Sequence, residues 1–348
     1  MATVSEAYQD KNFYPHNLPQ IIPLDFDAIQ TLPESHVWPE SDDFQFNDVG
    51  QLSVPTIDLE KPDVGNLIGH ACETWGAFQV INHGIPLELL HEVESETRRL
   101  FSLPSRQKLK ALRSPGGATG YGRARISQFF TKYMWHEGFT IMGSPEGHAR
   151  LLWPHDYRRF CSDIMEDYEK KLKELARTLM QIIFDYLAIS EEESKRVGSA
   201  IGSKAPIQLN SYPYCPDPDR AMGLAPHTDT SLLTILHQNS IKGLQIFKQG
   251  VGWILVNPTS GALVVNVGDL LHIISNAKFQ SVVHRVVMKE AKQQRLSVAY
   301  FHSLASDFDV FPMGLCCGQS PFYRSVSVAE YLGIKANNID NPLSFVRI

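Results

Sequence analysis

The chain has 348 residues, of which 43% are hydrophobic and 20% are charged, with a net charge of −6. These values are ordinary for a globular protein of one large domain or two closely packed ones, and they exclude global disorder. No run of Lys and Arg is long enough to form a nucleic-acid-binding stripe. No apolar stretch approaches the roughly 20 residues that span a membrane.

The N-terminal sequence has neither the basic start nor the apolar segment of a secretory signal, which predicts a cytoplasmic protein. The five cysteines are odd in number and form no Cys-x-x-Cys motif. This usage favours free thiols over a disulfide framework or a cysteine-rich zinc site. Nothing in the composition indicates a protein partner.

The first third of the chain alternates between strand and helix patterns. Residues 1–50 are rich in Pro, Asp and Gln, which predicts an extended N-terminal segment. Residues 54–59 and 77–81 predict short strands, and Pro86 is expected to open a helix at its first position. Between the strands, apolar residues at helical spacing predict one buried helix face: Leu67, Ile68, Ala71, Cys72 and Trp75.

The remaining two thirds divide into a loop-like, a helical and a β-rich part. Residues 114–150 are glycine-rich and aromatic, which predicts loops that cover a pocket. Residues 161–187 show the clearest helical period. After residue 205, glycine turns separate short β-type segments, predicted at 244–247, 253–256, 263–267, 270–275, 282–288 and 296–301. Many short strands of this kind favour a sandwich or small barrel, with the jelly roll as the leading candidate.

His227-Thr228-Asp229 is the first candidate for chemistry. Residues two apart in a strand point to the same side, so His227 and Asp229 could present an imidazole and a carboxylate to one point. A second imidazole could come from His284, which is centred in a strongly β-forming segment. Two histidines and one carboxylate form the facial triad of non-haem Fe(II) oxygenases, which leaves three metal positions open.

Two further pairs of residues each share strand parity within the pair. Arg295 and Ser297 begin a predicted strand, and a guanidinium with a neighbouring hydroxyl is a suitable clamp for a carboxylate. Asn210 and Tyr212 lie on one face just ahead of the His-x-Asp motif. The chain order is therefore Asn-x-Tyr, His-x-Asp, His and Arg-x-Ser.

That order resembles the plant 2-oxoglutarate/Fe(II)-dependent dioxygenase family, and the resemblance covers about residues 52–302. Segments 54–59 and 75–86 match its N-terminal signature, in which His83 is structural. The resemblance implies a mainly β fold with flanking helices, in which an N-terminal α/β region precedes a double-stranded β-helix (jelly-roll) core. The divisions that follow are an N-terminal extension (1–50), an N-terminal dioxygenase region with a substrate-covering loop (51–150), supporting helices (151–200), the jelly-roll core (203–303) and a C-terminal tail (304–348).

The resemblance also implies roles for the motif residues. Iron would be bound by His227, Asp229 and His284. 2-Oxoglutarate would be bound by Arg295 and Ser297 with help from Tyr212, and Asn210 would lie beside it. The implied reaction uses Fe(II), 2-oxoglutarate and O₂, with ascorbate as reductant, and hydroxylates an unactivated C–H bond with release of succinate and CO₂.

Segments 120–130, 134–141 and 210–229 resemble those of gibberellin 3-beta-dioxygenases. This likeness implies hydroxylation of a gibberellin at carbon 3, which produces the bioactive hormone. The chain departs from that group at His136, where a serine is usual, and after Phe301, where a Gly-Pro-Pro run is usual. The alternatives are another gibberellin ring oxidase, a flavonoid or other specialised-metabolite dioxygenase, a non-catalytic hormone-binding protein and a zinc hydrolase.

The substrate pocket is predicted from strand parity and from the covering loop. Parity places Gln208 beside Asn210, and it places Phe301 and Ser303 on the face of Arg295. The resemblance adds Ile126 and Trp135 from the covering loop. A gibberellin carries a carboxylate on a rigid apolar skeleton, so a cationic anchor is expected, for which Arg125 is the candidate together with Arg123.

Overall fold

The computed structural model describes residues 26, 29–39, 52–114, 117–202, 205–288, 293–315 and 318–348, apart from the side chain of Arg125. Within these residues the largest sheet has eight strands in the order β1-β2-β10-β7-β12-β5-β4-β3. Its strands are β1 (Thr56–Asp58), β2 (Ala77–Ile81), β3 (Gly120–Gly122), β4 (Glu137–Met142), β5 (Pro206–Tyr212), β7 (Leu233–Gln238), β10 (Leu263–Val267) and β12 (Arg295–His302).

A smaller sheet faces it, with four strands in the order β6-β11-β8-β9 among the described residues. These strands are β6 (Met222–His227), β8 (Leu244–Lys248), β9 (Gly252–Leu255) and β11 (His284–Val287). Apolar side chains from both sheets form one buried cluster that includes Leu236, Val264 and Ile246. The two sheets thus enclose an inner core, and the predicted double-stranded β-helix is confirmed.

Helices cover the outer face of the large sheet. They are α1 (Val64–Thr74), α2 (Leu87–Phe101), α3 (Ser105–Lys108), α4 (Glu146–Leu152), α5 (Glu166–Tyr186), α6 (Glu191–Ser199), α7 (Asp269–Ile274) and α8 (Val328–Lys335). A second, larger apolar cluster lies between this helical layer and the sheet. In the part of the chain that the structure describes, none of the helices is long and apolar enough to cross a membrane.

Helix α5 confirms the clearest periodic prediction, because Tyr168, Leu172 and Leu179 are fully buried on one face. A seven-residue π-helical turn, Arg159–Met165, precedes it. The predicted face of α1 is correct for its buried members but wrong for Leu67, which is 44% exposed. Leu67 precedes Ile68 by a single position, so its side chain is rotated about 100° around the helix axis, away from the sheet.

Three local predictions need correction. Pro86 is the residue before α2, which begins at Leu87. Segment 270–275 belongs to helix α7 and is not a strand, because a short apolar run does not reveal its period. Segment 114–150 is not all loop, since β4 pairs along its full length with β5, a partner distant in sequence.

The structure describes only part of the N-terminal end of the chain but most of the C-terminal tail. Of the predicted extension 1–50, only residues 26 and 29–39 are described, and the rest of that prediction lies outside the described residues. The tail forms a two-stranded sheet of β13 (Asp309–Val310) and β14 (Val326–Ser327), followed by α8. The predicted division into regions stays a prediction. Strands β1 to β4 are hydrogen-bonded into the same sheet as the core strands, so the sheet itself marks no boundary between the regions.

Candidate functional site

Strand register brings two histidines together at one edge of the small sheet. His227 is the last residue of β6, His284 is the first residue of β11, and the two are paired across the strands. Their ring centroids are 4.3 Å apart. Asp229 lies two residues past the end of β6, so the prediction that strand alternation aligns it with His227 is wrong in its local geometry. The carboxylate is nevertheless 3.7 Å from His227 Nε2 and 3.8 Å from His284 Nε2.

In both imidazoles, Nδ1 lies within hydrogen-bond distance of a backbone carbonyl oxygen. His227 Nδ1 lies 2.8 Å from the carbonyl oxygen of Ala225, and His284 Nδ1 lies 3.2 Å from that of Val282. A carbonyl can only accept, so Nδ1 donates a proton in each ring and Nε2 is the nitrogen left for a metal. Burial, with the neighbouring His284, lowers the pKa of His227 to about 3, so this ring is neutral at physiological pH.

The three side chains fit a divalent metal ion. One ligand atom from each of His227, Asp229 and His284 lies within 4.8 Å of the others. Asp229 Oδ2 is buried and has no hydrogen-bond partner among the described residues. A buried carboxylate oxygen without a partner is costly unless a cation completes it. Two neutral imidazoles and one carboxylate are the donor set of non-haem Fe(II) sites.

Arg295 supplies a buried cation at the start of β12. Its residue is 1% exposed, and its Nη2 donates to Gln238 Oε1 at 2.8 Å. Its Nε and Nη1 are buried without a hydrogen-bond partner in the described part of the chain. The guanidinium also lies 5.0 Å from the ring centroid of Tyr212, its register partner on β5. Two nitrogens of a buried guanidinium thus keep N–H donors that a carboxylate could accept from.

The other predicted cosubstrate residues lie beside Arg295. Asn210 and Ser297 are register partners on β5 and β12, and Asn210 Nδ2 donates to Ser297 Oγ at 3.5 Å. The Asn210 amide oxygen is 2.9 Å from His136 Nε2. Burial lowers the pKa of His136 to about 4. Asn210 therefore links the Arg295 side of the site to a neutral histidine on the opposite side.

The inter-sheet space around Arg295 is narrow, which places the clamp close to the small sheet. A Cβ on Gly243 would lie 3.1 Å from Arg295 Cδ, and one on Gly223 would lie 3.0 Å from Tyr212 Cδ1. Both would also meet Val286, two residues after His284. The cationic clamp and the metal triad thus share one cleft between the two sheets.

A cavity adjoins this cleft on the side of His136. Its enclosed volume is about 20 Å³, and it opens partly to solvent. The guanidinium of Arg123 lies over the ring of Tyr133, 4.1 Å from its centroid, at one wall. The cavity is lined by Phe26, His36, Tyr121, Gly122, Arg123, Ser127, Tyr133, Met134, His136 and Glu137.

None of the predicted substrate residues whose side chains the structure describes is among the residues that line this cavity. Gln208 is half-buried and accepts a hydrogen bond of 2.6 Å from Thr140 Oγ1. Phe301 packs at the margin of the inner core, and Ile126 packs on a small apolar cluster beside β6. Ser303 is half-buried just past the end of β12.

Trp135 and Arg125 are the remaining predicted substrate residues. Trp135 is completely buried, and its indole N–H donates to the backbone carbonyls of Pro213 and Tyr214. This places it as a support beneath the cavity wall. The side chain of Arg125 lies outside the described residues, so its role as an anchor stays a prediction.

Sequence patterns missed three contributing residues. Gln238 holds Arg295 from β7, and its strand gave no signal of its own because it reads as an apolar run. Asp269 and Lys335 contact the loop that carries Asp229. The Gly268-Asp269 pair is visible in the sequence only as a turn signal, and its link to the C-terminal helix needs the tertiary structure.

Comparison with known families gives two matches. Residues 204–304 match the 2OG-Fe(II) oxygenase superfamily, and residues 54–159 match the N-terminal region of non-haem dioxygenases of morphine synthesis. The first match spans all the predicted metal and cosubstrate residues. The second spans eight of the ten residues that line the cavity, all except Phe26 and His36.

Curated relatives match over nearly the whole chain. Gibberellin 3-beta-dioxygenase 1 of Pisum sativum is 50% identical, covering 100% of this chain and 94% of the pea protein. Gibberellin 3-beta-dioxygenase 1 of Arabidopsis thaliana is 47% identical and covers 96% of each. Among solved structures, JOX2 in complex with 2OG, Fe and JA superposes with a TM-score of 0.78 at 28% identity, covering 92% of this chain and 95% of JOX2.

Proposed function

This chain belongs to the 2OG-Fe(II) oxygenase superfamily, among its gibberellin 3-beta-dioxygenases, and we propose that it hydroxylates a gibberellin precursor at carbon 3 in the 3-beta configuration. The reaction would consume 2-oxoglutarate and O₂ and release succinate, CO₂ and a bioactive gibberellin. The observation that carries the proposal is the convergence of His227, Asp229 and His284 in the cleft that holds the unpaired guanidinium of Arg295.

In this proposal the triad residues bind Fe(II). His227 and His284 direct their Nε2 atoms to the metal position because their Nδ1–H groups donate to backbone carbonyls. Asp229 adds the negative charge that offsets part of the metal charge in a buried site. Bound Fe(II) with 2-oxoglutarate supplies the O₂-dependent oxidising power that side chains lack.

Arg295 and its neighbours orient the cosubstrate. The guanidinium of Arg295 would donate to the carboxylate remote from the metal, and Gln238 fixes the direction of the guanidinium. The hydroxyl of Ser297 would donate to the same carboxylate, with Tyr212 and Asn210 beside it. A rigid clamp of this kind lowers the entropic cost of placing the reacting ends correctly.

The cavity beside His136 is the proposed gibberellin site. Aromatic walls suit a rigid apolar skeleton, and a small number of polar groups suit its orientation. Arg123 adds a positive charge that a substrate carboxylate would complement. Glu137, in the same wall, is paired with Lys108 at 2.5 Å, which limits its repulsion of an acidic substrate.

The proposal extends to ascorbate as reductant and to the cytoplasm as location. Cys72, Cys161 and Cys215 are free and buried, which suits a reducing compartment. The substrate is a small molecule, and the proposal needs no protein partner.

Product analysis tests the proposal directly. The purified protein is reconstituted anaerobically with Fe(II) and then given 2-oxoglutarate, O₂ and a panel of gibberellins and flavonoids. We expect a gibberellin that gains one oxygen at carbon 3 with one equivalent of succinate, measured by mass spectrometry. Hydroxylation of a different ring carbon or of a flavonoid would keep the family chemistry and refute the proposed substrate and position.

A further inference from the structure

The carboxylate of Asp269 lies at the centre of a buried polar network outside the triad. The residue is fully buried at the start of α7. Its Oδ1 accepts a hydrogen bond of 2.6 Å from Ser281 Oγ. Its Oδ2 accepts from Thr228 Oγ1 at 3.2 Å and from Lys335 Nζ at 2.5 Å. All these donors come from segments that are distant in sequence.

These contacts reach both segments that carry the metal ligands. Thr228 is the residue between His227 and Asp229, and Ser281 lies three residues before His284. The Asp269 N–H also donates to the Asp229 carbonyl at 2.8 Å. One carboxylate and its own backbone amide therefore tie together the two loops that must hold their ligands at a common point.

Lys335 brings the C-terminal helix into the same network. It is the last residue of α8, and its side chain is 12% exposed. Besides Asp269, its Nζ donates to the Thr228 carbonyl at 2.9 Å and to Thr228 Oγ1 at 3.0 Å. All three donor positions of the ammonium group are used, and all three bonds end at or beside the metal-ligand loop.

Close backbone packing also holds this loop against the start of α7. A Cβ on Gly268 would lie 2.0 Å from the carbonyl oxygen of Ser231 and 3.1 Å from that of Asp229. The N–H groups of Gly268 and Leu270 donate to the carbonyls of Leu232 and Thr230. The loop after His227 is thus held against the start of α7 by its backbone and by the Asp269–Lys335 pair.

We infer that Asp269 and Lys335 are positioning residues of the metal centre, and that the C-terminal helix completes that centre from outside the region matched by the oxygenase family. The inference rests on the proposed metal assignment of the triad. Residues that orient metal ligands without touching the metal commonly change affinity by about 10- to 100-fold when they are replaced. The measurable consequence is metal affinity, independent of turnover.

The test compares two buried lysines in the full-length, metal-free protein. Lys335→Met removes the ammonium group at the metal-ligand loop. Lys108→Met is the matched control, because Lys108 forms an ion pair with Glu137 that is as buried and as short, without contact to a triad residue. Both variants leave one buried carboxylate without its cation, so general destabilisation affects them alike.

Co(II) is titrated anaerobically into each protein and followed by its visible absorption, and thermal unfolding of the metal-free proteins is measured in parallel. We expect Lys335→Met to weaken Co(II) binding about 10- to 100-fold and to alter the absorption bands. Lys108→Met should bind within about twofold of the original protein, even where its unfolding midpoint falls equally.

Thr228→Val gives a second measurement that does not strand a buried charge. It removes the hydroxyl that bridges Asp269 and Lys335 while it preserves side-chain shape, and we expect at least threefold weaker Co(II) binding. Unchanged affinity in Thr228→Val, together with equal affinities in the two lysine variants or a Lys335→Met that does not fold, would overturn the inference. An original protein that binds no Co(II) at the triad would overturn both the metal assignment and this inference.

Discussion

The proposed metal centre and the proposed substrate cavity are neighbours built by different means. His227 and His284 are paired across two strands, and each ring is fixed by a backbone carbonyl. The cavity wall instead comes mostly from β3, the start of β4 and the segment that connects them, which contains the short 3₁₀ helix Arg125–Phe129. Strand register leaves little freedom to the reacting groups, whereas the connecting segment can vary without disturbing the sheet.

This difference separates two kinds of selectivity. Side chains fixed by register determine which reaction is possible, and they are expected to act alike on every substrate. Side chains on the connecting segment determine which molecule is held and which carbon faces the metal. Substitutions in the two regions should therefore differ in kind: loss of all turnover on one side, and changed substrate KM or product position on the other.

Removal of a triad ligand should have the largest effect. In His227→Ala only one imidazole and the Asp229 carboxylate remain, so we expect turnover to fall by at least about 100-fold with any substrate, since even residues beyond the ligands change activity by that order. Succinate release measured with and without a gibberellin checks this. Full activity in His227→Ala would refute the metal assignment and with it the contrast between the regions.

Removal of the cationic clamp should be nearly as severe but specific for the cosubstrate. Arg295→Met loses two charge-assisted hydrogen bonds, about 3 kcal/mol together, which corresponds to a KM for 2-oxoglutarate about 100-fold higher. The unfolding midpoint without cosubstrate should not fall, because the variant no longer buries an unpaired charge. A KM for 2-oxoglutarate equal to that of the original protein would exclude this role for Arg295.

A change in the cavity should have a smaller effect and should affect the cosubstrate less than the substrate. His136→Ser removes the hydrogen bond to Asn210 and enlarges the cavity. We expect the KM for the gibberellin to change about 5- to 10-fold, about 1 to 1.4 kcal/mol, because the cavity wall loses a ring. The KM for 2-oxoglutarate should change less, because His136 reaches the cosubstrate residues only through Asn210. Steady-state kinetics with each compound varied in turn makes the comparison, and equal shifts in both constants would show that the two regions are not separable.

A buried histidine outside both regions should have the smallest effect on turnover. It serves as a baseline for substitutions that change stability alone. Burial, with His91 and His83, lowers the pKa of His237 to about 4, so the unfolded chain binds the proton more tightly than the folded one. Stability from this group is complete above about pH 6.5 and is lost as the pH falls towards 4, by up to about 1.4 kcal/mol per pH unit.

His237→Gln should flatten that loss. Denaturant unfolding between pH 7 and pH 4.5 measures the slope in both proteins, with turnover at pH 7 as the control for an intact site. The same slope in both proteins would show that His237 does not carry this pH dependence.

Regular periods made part of the molecule predictable. The face of α5 and the strands β2 and β10 follow from side-chain spacing, because burial on one side imposes a period of 3.6 or an apolar run. The same reasoning fails for Asp269–Ile274, where six apolar and polar residues suit either structure. It also fails for Glu137–Met142, whose strand depends on hydrogen bonds to Pro206–Tyr212.

The sequence by itself determined the chemistry of the site, because residue types and their order specify donors for a metal and a carboxylate. Parity along β12 predicts one face for Arg295 and Ser297, since a strand alternates wherever it runs, and these two residues pair in register with Tyr212 and Asn210. Only the tertiary structure decided how Asp229, beyond the end of its strand, returns to the two imidazoles. That return depends on Asp269 and on Lys335, contacts between segments whose separation along the chain leaves no local pattern to detect.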